Sequence, residues 1–332
     1  MKLLRIGTRD SQLAVWQATT VQNLLKEKGV GSELVYIKSE GDLDTVTPLY
    51  ELGVQGIFTK SLDAALLAGK IDLAVHSMKD VPTQLARGIK EAAVLERASY
   101  KDLFVYKGDI SLLTEELNYK NHQWLQNNSS FTIHHLPLPT HHSPFTIATS
   151  SIRRKAQWLN RYPNHQVENL RGNVNTRLRK LEESNWQGAI FAAAGLERIN
   201  LRPQNSIELD WMLPAPAQGA IMVVCSENDE QAYEATHQLN HPITALCVKI
   251  ERDFLSGLKG GCSTPVSALA IMSYAQIVFK GNVCSTDGRE TFSIEKTVDI
   301  SEAEDLGKKA AMEILKQPSA LKIVQDIRNA KA

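Results

Sequence analysis

Phe145-Thr146-Ile147-Ala148, followed at once by Thr149-Ser150-Ser151-Ile152-Arg153-Arg154, reads as a short buried strand that turns directly into a helix. The pattern recurs where Gln166-Val167-Glu168-Asn169-Leu170 runs into Arg171-Gly172-Asn173-Val174-Asn175-Thr176-Arg177. A strand-to-helix turn aims backbone N–H groups and the positive end of the helix dipole at one point, which suits an anion. Arg adds a planar fork that pairs a carboxylate or phosphate through two hydrogen bonds. Two such turns in one α/β segment point to a ligand with several negative groups. Each turn alone also fits a plain capped helix with surface arginines.

The alternation extends to both sides. Residues 3–7 read as a strand, 11–28 as a helix capped by Asp10 or Ser11 and stopped by Gly29, and 33–37 as a strand. Residues 59–68 read as a helix and 71–75 as a buried strand. This rhythm predicts a mainly parallel sheet flanked by helices, with ligands beyond the carboxyl ends of the strands. Two more segments fall at such ends. Thr8-Arg9-Asp10-Ser11 adds Arg9 and Ser11 to the anion-binding set. His76-Ser77-Met78-Lys79-Asp80-Val81-Pro82 offers Ser77 and Lys79 for an anionic group, and Asp80 to stabilise a cation or carry a proton. Lys79 beside Asp80 also reads as an ordinary surface pair.

The rhythm breaks twice. Residues 107–143 are polar, rich in Asn and His, and read as a surface excursion with at most a short helix near 112–125. Its His134, His135, His141 and His142 lack Cys or carboxylate partners at ligand spacing, so a solvated loop is expected rather than a metal site. After Pro214-Ala215-Pro216-Ala217-Gln218-Gly219, residues 220–225 read as a buried strand. From Pro242 onward a long helix, three strands and a further helix form an α+β module. Gly260-Gly261-Cys262 sets one thiol on a double-glycine turn, which suits either a covalent attachment point or an idle cysteine. No internal repeat is apparent, and Gly53-Val54-Gln55-Gly56 is not a P-loop.

Composition narrows the classes. The 332 residues carry 37 Lys plus Arg and 37 Asp plus Glu, so no overall field recruits nucleic acid or a membrane surface. The four cysteines show no metal spacing, the N-terminus reads as a strand rather than a signal peptide, and no run approaches the ~20 apolar residues of a membrane span. A cytoplasmic monomer without nucleic-acid or membrane partners is expected. A non-catalytic anion-binding protein with two lobes would also use the arginine turns. It would leave Asp80, Cys262 and the last module without purpose. A phosphate-transferring enzyme is disfavoured by the absence of P-loop, G-x-G-x-x-G and acidic metal cluster.

Seven motifs stand in order: 6–14, 76–82, 149–154, 171–178, Ala194-Gly195-Leu196, Leu213-Pro214-Ala215 with Gln218-Gly219, and Gly260-Gly261-Cys262. In these the chain resembles the hydroxymethylbilane synthase (porphobilinogen deaminase) family over nearly its whole length. The resemblance implies two α/β domains like the halves of a periplasmic binding protein, flanking a cleft, and a smaller C-terminal α+β domain. It divides the chain into 1–97 plus 218–238, 101–213 with the surface insertion 107–143, and 242–332. It implies that four porphobilinogen molecules are condensed head to tail with loss of ammonia, on a dipyrromethane cofactor held by a thioether at Cys262. Asp80 is then the catalytic carboxylate. The cofactor is implied to lie against Ser77, Lys79, Asp80, Thr149, Ser150, Ser151, Arg153, Arg154, Arg171 and Gly172. Substrate carboxylates would meet Arg9, Ser11, Arg171, Arg177 and Arg198. The chain departs from the resemblance at Glu40, Glu51 and Gln55, which stand where basic residues are common in the segment implied to cover the cleft.

Overall fold

The computed structural model describes residues 2–38, 59–108, 145–261 and 264–329. Cys262, the charge changes at Glu40, Glu51 and Gln55, and the histidines of the polar excursion lie outside the described residues.

Three sheets organise the chain. The first holds β1 (Leu4–Thr8), β2 (Ser32–Tyr36), β3 (Leu73–Ser77), β4 (Ile89–Val94) and β10 (Ile221–Ser226), in the order β2-β1-β3-β10-β4. The second holds β5 (Asp102–Tyr106), β6 (Thr146–Ala148), β7 (Gln166–Glu168), β8 (Gly188–Ala192) and β9 (Ser206–Glu208), in the order β7-β6-β8-β5-β9. The third is an antiparallel meander of β11 (Val266–Ser273), β12 (Gln276–Cys284) and β13 (Thr291–Asp299).

The first two orders are the same plan used twice. In each, three strands run parallel, and a fourth lies antiparallel beside them. That antiparallel strand is the first one laid down after the chain crosses from the other sheet: β5 after β4, and β10 after β9. The fifth strand, β4 or β9, is antiparallel to that reversed strand and so runs with the other three, which gives the expected mainly parallel sheet with one strand reversed. The repeat escapes the sequence because the two halves share strand order rather than residues.

Alternation along the central strands accounts for their nearly continuous apolar sequence, since both faces are covered. Leu73 and Val75 of β3, with Ile221, Val223 and Cys225 of β10, join one core, while Ala74, Met222 and Val224 join the core on the other face. In the second sheet Leu103, Val105, Ala189 and Phe191 face one way, and Phe104 and Ile190 the other. Helix α1 (Gln12–Glu27) buries Ala14, Ala18, Val21 and Leu25 on one stripe. It stops at Gly29, whose φ of +76° a side chain would resist.

The two crossings touch each other. Ala98 N donates to Gly219 O at 3.1 Å, and Gly219 has φ +89°. A Cβ there would lie 2.7 Å from the carbonyl oxygens of both Ala98 and Ser99. Gly219→Ala is therefore expected to cost about 1–3 kcal/mol, read as a lowered denaturation midpoint. An unchanged midpoint would show that the crossings can part.

Helix α7 (Pro242–Gly257) fastens both crossings to the third module. Its Glu251, fully buried, accepts from Arg97 Nη1 at 2.6 Å and Nη2 at 3.1 Å. The same carboxylate accepts from Ala217 N at 2.6 Å and Ala270 N at 2.8 Å. Four donors on one buried carboxylate satisfy the requirement that a charge removed from water be paired and hydrogen-bonded.

Candidate active site

The carboxyl end of β3 forms the floor of a small open cavity lined by Arg9, Ala14, Gln17, Thr59, Val75, His76, Ser77 and Asp80. Strand β3 delivers Ser77, and a single turn of tighter helix over Met78–Asp80 then swings Lys79 and Asp80 outward while Met78 is buried. Gln17 Nε2 donates to Ser77 Oγ at 2.8 Å, so α1 holds that hydroxyl in place. His76 is buried beside Arg9, and burial first, then the Arg9 charge, pushes its imidazole down to about 4. The ring is neutral at neutral pH.

The second sheet carries the two arginine turns, whose charges are felt at Lys79. Helix α3 (Ile152–Arg161) starts at Ser151, whose hydroxyl accepts from Arg154 N at 3.4 Å. Thr149 Oγ1 accepts from Ser151 N, and Ser150 Oγ donates to Leu170 O at 2.7 Å. The hydroxyls thus build the turn first: Thr149 and Ser151 accept within it and keep an O–H to donate to a ligand carboxylate, whereas Ser150 donates its own to Leu170 O. Helix α4 (Val174–Glu183) starts at Asn173, which caps Thr176 N at 2.9 Å. Gly172 precedes it with φ +113°, and a Cβ there would lie 2.6 Å from Thr176 Cγ2. Only glycine lets this turn pack so tightly.

Arg153 and Arg154 occupy a position that sequence reasoning did not foresee. Both are buried and converge on Asp102, the fully buried first residue of β5. Arg153 Nη2 donates to Asp102 Oδ2 at 2.8 Å, and Arg154 Nη2 to Oδ1 at 2.8 Å. Their remaining forks reach Leu213 O at 2.6 Å and Ile190 O at 2.9 Å. Arg154 Nε also donates to Asp102 Oδ1 at 3.2 Å, and Gln218 Nε2 adds a fourth donor at 2.9 Å. Burial alone would raise the Asp102 carboxyl, but the two guanidiniums overcome it and hold it down at about 2. Much of the donor capacity of these two arginines is therefore spent inside the protein. Asp102 left no trace in the sequence, because its partners lie far along the chain.

Electrostatic coupling joins the two sheets. Burial lowers the Lys79 ammonium to about 8, with Asp80 and Asp102 opposing the shift and Arg154 and Arg153 adding to it. Burial likewise lowers Arg177 to about 10, with Arg154 and Arg171 repelling it and Asp80 attracting it. Arg177 Nε is buried and makes no hydrogen bond to a described residue. Five cations, Lys79, Arg153, Arg154, Arg171 and Arg177, thus share their surroundings with two carboxylates, Asp80 and Asp102. The N-termini of α1 and α4 also meet there, with Asn175 Nδ2 donating to Gln12 Oε1 at 3.0 Å. Ser11, at the start of α1, makes no capping bond with its side chain. Arg198 stands at the rim, its Nη2 donating to Gly219 O at 2.7 Å and its guanidinium 5.5 Å from the centre of the Trp16 ring.

Such an excess of buried positive charge calls for a ligand with several carboxylates. Residues 4–234 match the family model described as "Porphobilinogen deaminase, dipyromethane cofactor binding domain", and residues 245–316 match the "Porphobilinogen deaminase, C-terminal domain". The chain belongs to the porphobilinogen deaminase family. It is 39% identical to the porphobilinogen deaminase of Desulfitobacterium hafniense, over 99% of this chain and 98% of that relative. It is 37% identical to the chloroplastic porphobilinogen deaminase of Oryza sativa, over 95% of this chain and 84% of that relative. Among solved structures it is similar to the methionine binding protein MetQ, with 13% identity and a TM-score of 0.41 over 71% of this chain and 89% of that one. Members of the family are transferases of tetrapyrrole biosynthesis, and the first matched region is their dipyrromethane-binding part.

A dipyrromethane fits this site. Its carboxylates match the cations gathered near Asp80, and its pyrrole N–H groups match Asp80, the one carboxylate among the described residues that line the cavity. The three described cysteines, Cys225, Cys247 and Cys284, are buried, and burial raises each thiol, to about 11 for Cys225 and Cys247. None of them is a practical nucleophile at neutral pH.

Proposed function

We propose that this chain is a hydroxymethylbilane synthase in which Asp80 is the catalytic carboxylate and Cys262 the attachment point of the dipyrromethane. The observation that carries the reading is Asp80, the one carboxylate among the described residues lining the cavity, which attracts both Lys79 of its own loop and Arg177 of the second sheet's arginine turn. When bound, the dipyrromethane supplies the pyrrole carbon to which the first substrate is joined. Lys79, Arg171 and Arg177 bind propionate and acetate groups, with Ser77, Thr149, Ser150, Ser151 and the Gly172 turn completing the cofactor's cradle. Arg153 and Arg154 contribute chiefly by fixing their turn against Asp102. Arg9, Ser11 and Arg198 receive the incoming porphobilinogen. Asp80 accepts from its pyrrole N–H and balances the positive charge that develops as ammonia departs, where excluded water makes that charge pairing strong.

The reading also divides the chain into 1–97 with 218–238, 101–213, and 242–332, working as a cytoplasmic monomer. No helix among the described residues is long and apolar enough to cross a membrane. The even charge balance gives no reason for a nucleic-acid partner.

Intact mass tests the attachment. Purified protein is expected to exceed its sequence mass by two condensed porphobilinogen units, and Cys262→Ser to show none of this excess. Bare Cys262 after incubation with porphobilinogen would sink the assignment.

A further inference from the structure

Helix α7 reaches into the catalytic loop as well as into the crossings. Arg252, next to the buried Glu251, points its guanidinium at the backbone of 78–82. Its Nη1 donates to Val81 O at 2.9 Å and, more distantly, to Met78 O at 3.4 Å, and its Nη2 donates to Pro82 O at 2.6 Å. Three carbonyls on either side of Lys79 and Asp80 therefore converge on one side chain from another module. Packing reinforces the clamp, because Val248, one turn earlier on α7, shares a core with Met78 and Val81. Met78 N donates to Ala220 O at 3.0 Å, so the loop is pinned from the crossing too. A one-turn helix of three residues has little hydrogen bonding of its own to hold a carboxylate in place. Its precision must come from outside.

We infer that Arg252 is a positioning residue for Asp80, through which the module that carries Cys262 sets the placement of the catalytic carboxylate. The inference rests on the assignment of Asp80 above. Arg suits this task because its fork can serve three carbonyls at once, whereas a lysine ammonium offers a single point charge. Helix α7 ends at Gly257, just before the Gly260-Gly261-Cys262 turn. The element that leads to the cofactor's anchor and the element that steadies Asp80 are thus the same helix.

The test uses holoenzyme variants Arg252→Met and Arg252→Lys, each alone and combined with Asp80→Ala, with cofactor loading followed by intact mass. Displacement of a reacting group by about 1 Å can cost on the order of 10²-fold in rate, so Arg252→Met is expected to lose about that factor in kcat with KM little changed. Backbone amides of 78–82 should exchange hydrogen faster, and Arg252→Lys should recover part of both properties. In the Asp80→Ala background, Arg252→Met should cost less than about twofold more in single-turnover rate, because residues acting as a unit are not additive. A full further loss in that background would overturn the inference, and so would normal kcat with unaltered exchange. Near-normal turnover of Asp80→Ala alone would remove the Asp80 assignment and the inference with it. Arg252→Lys keeps the charge and the stem, so it tests the clamp even if Arg252→Met fails to fold.

Discussion

Asp80→Ala is expected to fold, to carry its cofactor when supplied with it, and to lose about 10²–10³-fold in kcat, the range for removing one preorganised electrostatic group from a reacting centre. The expectation follows from where the side chain sits. Asp80 lines the cavity with Arg9 and Ser77, and it is the carboxylate that pulls against the burial of both Lys79 and Arg177. Any positive charge that develops on a pyrrole in this space meets Arg9 in the lining and Lys79 and Arg177 close by, a crowd of like charges in which Asp80 is the nearest described countercharge. Without Asp80 the crowd remains, and the transition state is both unsupported and repelled. Asp80→Asn separates two contributions, because the amide oxygen still accepts from a pyrrole N–H while the charge is lost. A large deficit in Asn as well as Ala assigns the effect to charge. Turnover of Asp80→Ala within about twofold of the parent would show that another group performs the task.

The cavity's membership was legible in the sequence to the extent that chemistry follows strand ends. Arg9, Ser77 and Asp80 come from two separate strand ends, and both fell out of the rule that ligands gather there. The helix starts at the two arginine turns were also readable, and Ser151 and Asn173 cap them through local hydrogen bonds. The α+β character of the last module was visible in its strand spacing for the same reason, and the three strands expected there are β11 to β13. What stayed hidden depends on pairs distant in the chain. The antiparallel β5 and β10 are apolar runs like their neighbours, and nothing local marks the direction in which they enter a sheet. Arg153 and Arg154 were read as ligand arginines because their turn has the right local form. Their commitment to Asp102 follows only from the register that brings β5 beside β8. Arg97, Glu251 and Arg252 escaped for the same reason, and with Gln218 they hold the modules together.

Asp102→Asn should damage the protein before any chemistry begins. Asp102 lies at the centre of a fully desolvated set, with Arg153 and Arg154 on its two oxygens and Gln218 donating to it from the returning crossing. Removing one partner of a buried ion pair typically costs about 3–5 kcal/mol, because the other charge stays buried without compensation. Here the cost falls on two guanidiniums, and burial already lowers the Arg153 pKa. The amide keeps the carboxylate's shape, so the loss reports charge rather than a cavity. The expected readout is a midpoint of denaturation well below the parent's, with cofactor loading falling in parallel as the turn bearing Thr149 to Arg154 loosens. The pH dependence gives an independent check on the same group. Its folded value of about 2 lies below the ordinary 3.8, so its contribution is complete above about pH 5 and is lost as pH falls through that interval. The parent should therefore shed stability between about pH 5 and 2 more steeply than Asp102→Asn, whose side chain does not titrate there. Equal slopes in the two proteins would mean that the Asp102 carboxylate is not held by its arginines in solution, and the buried anchor of the second sheet would have to be sought elsewhere.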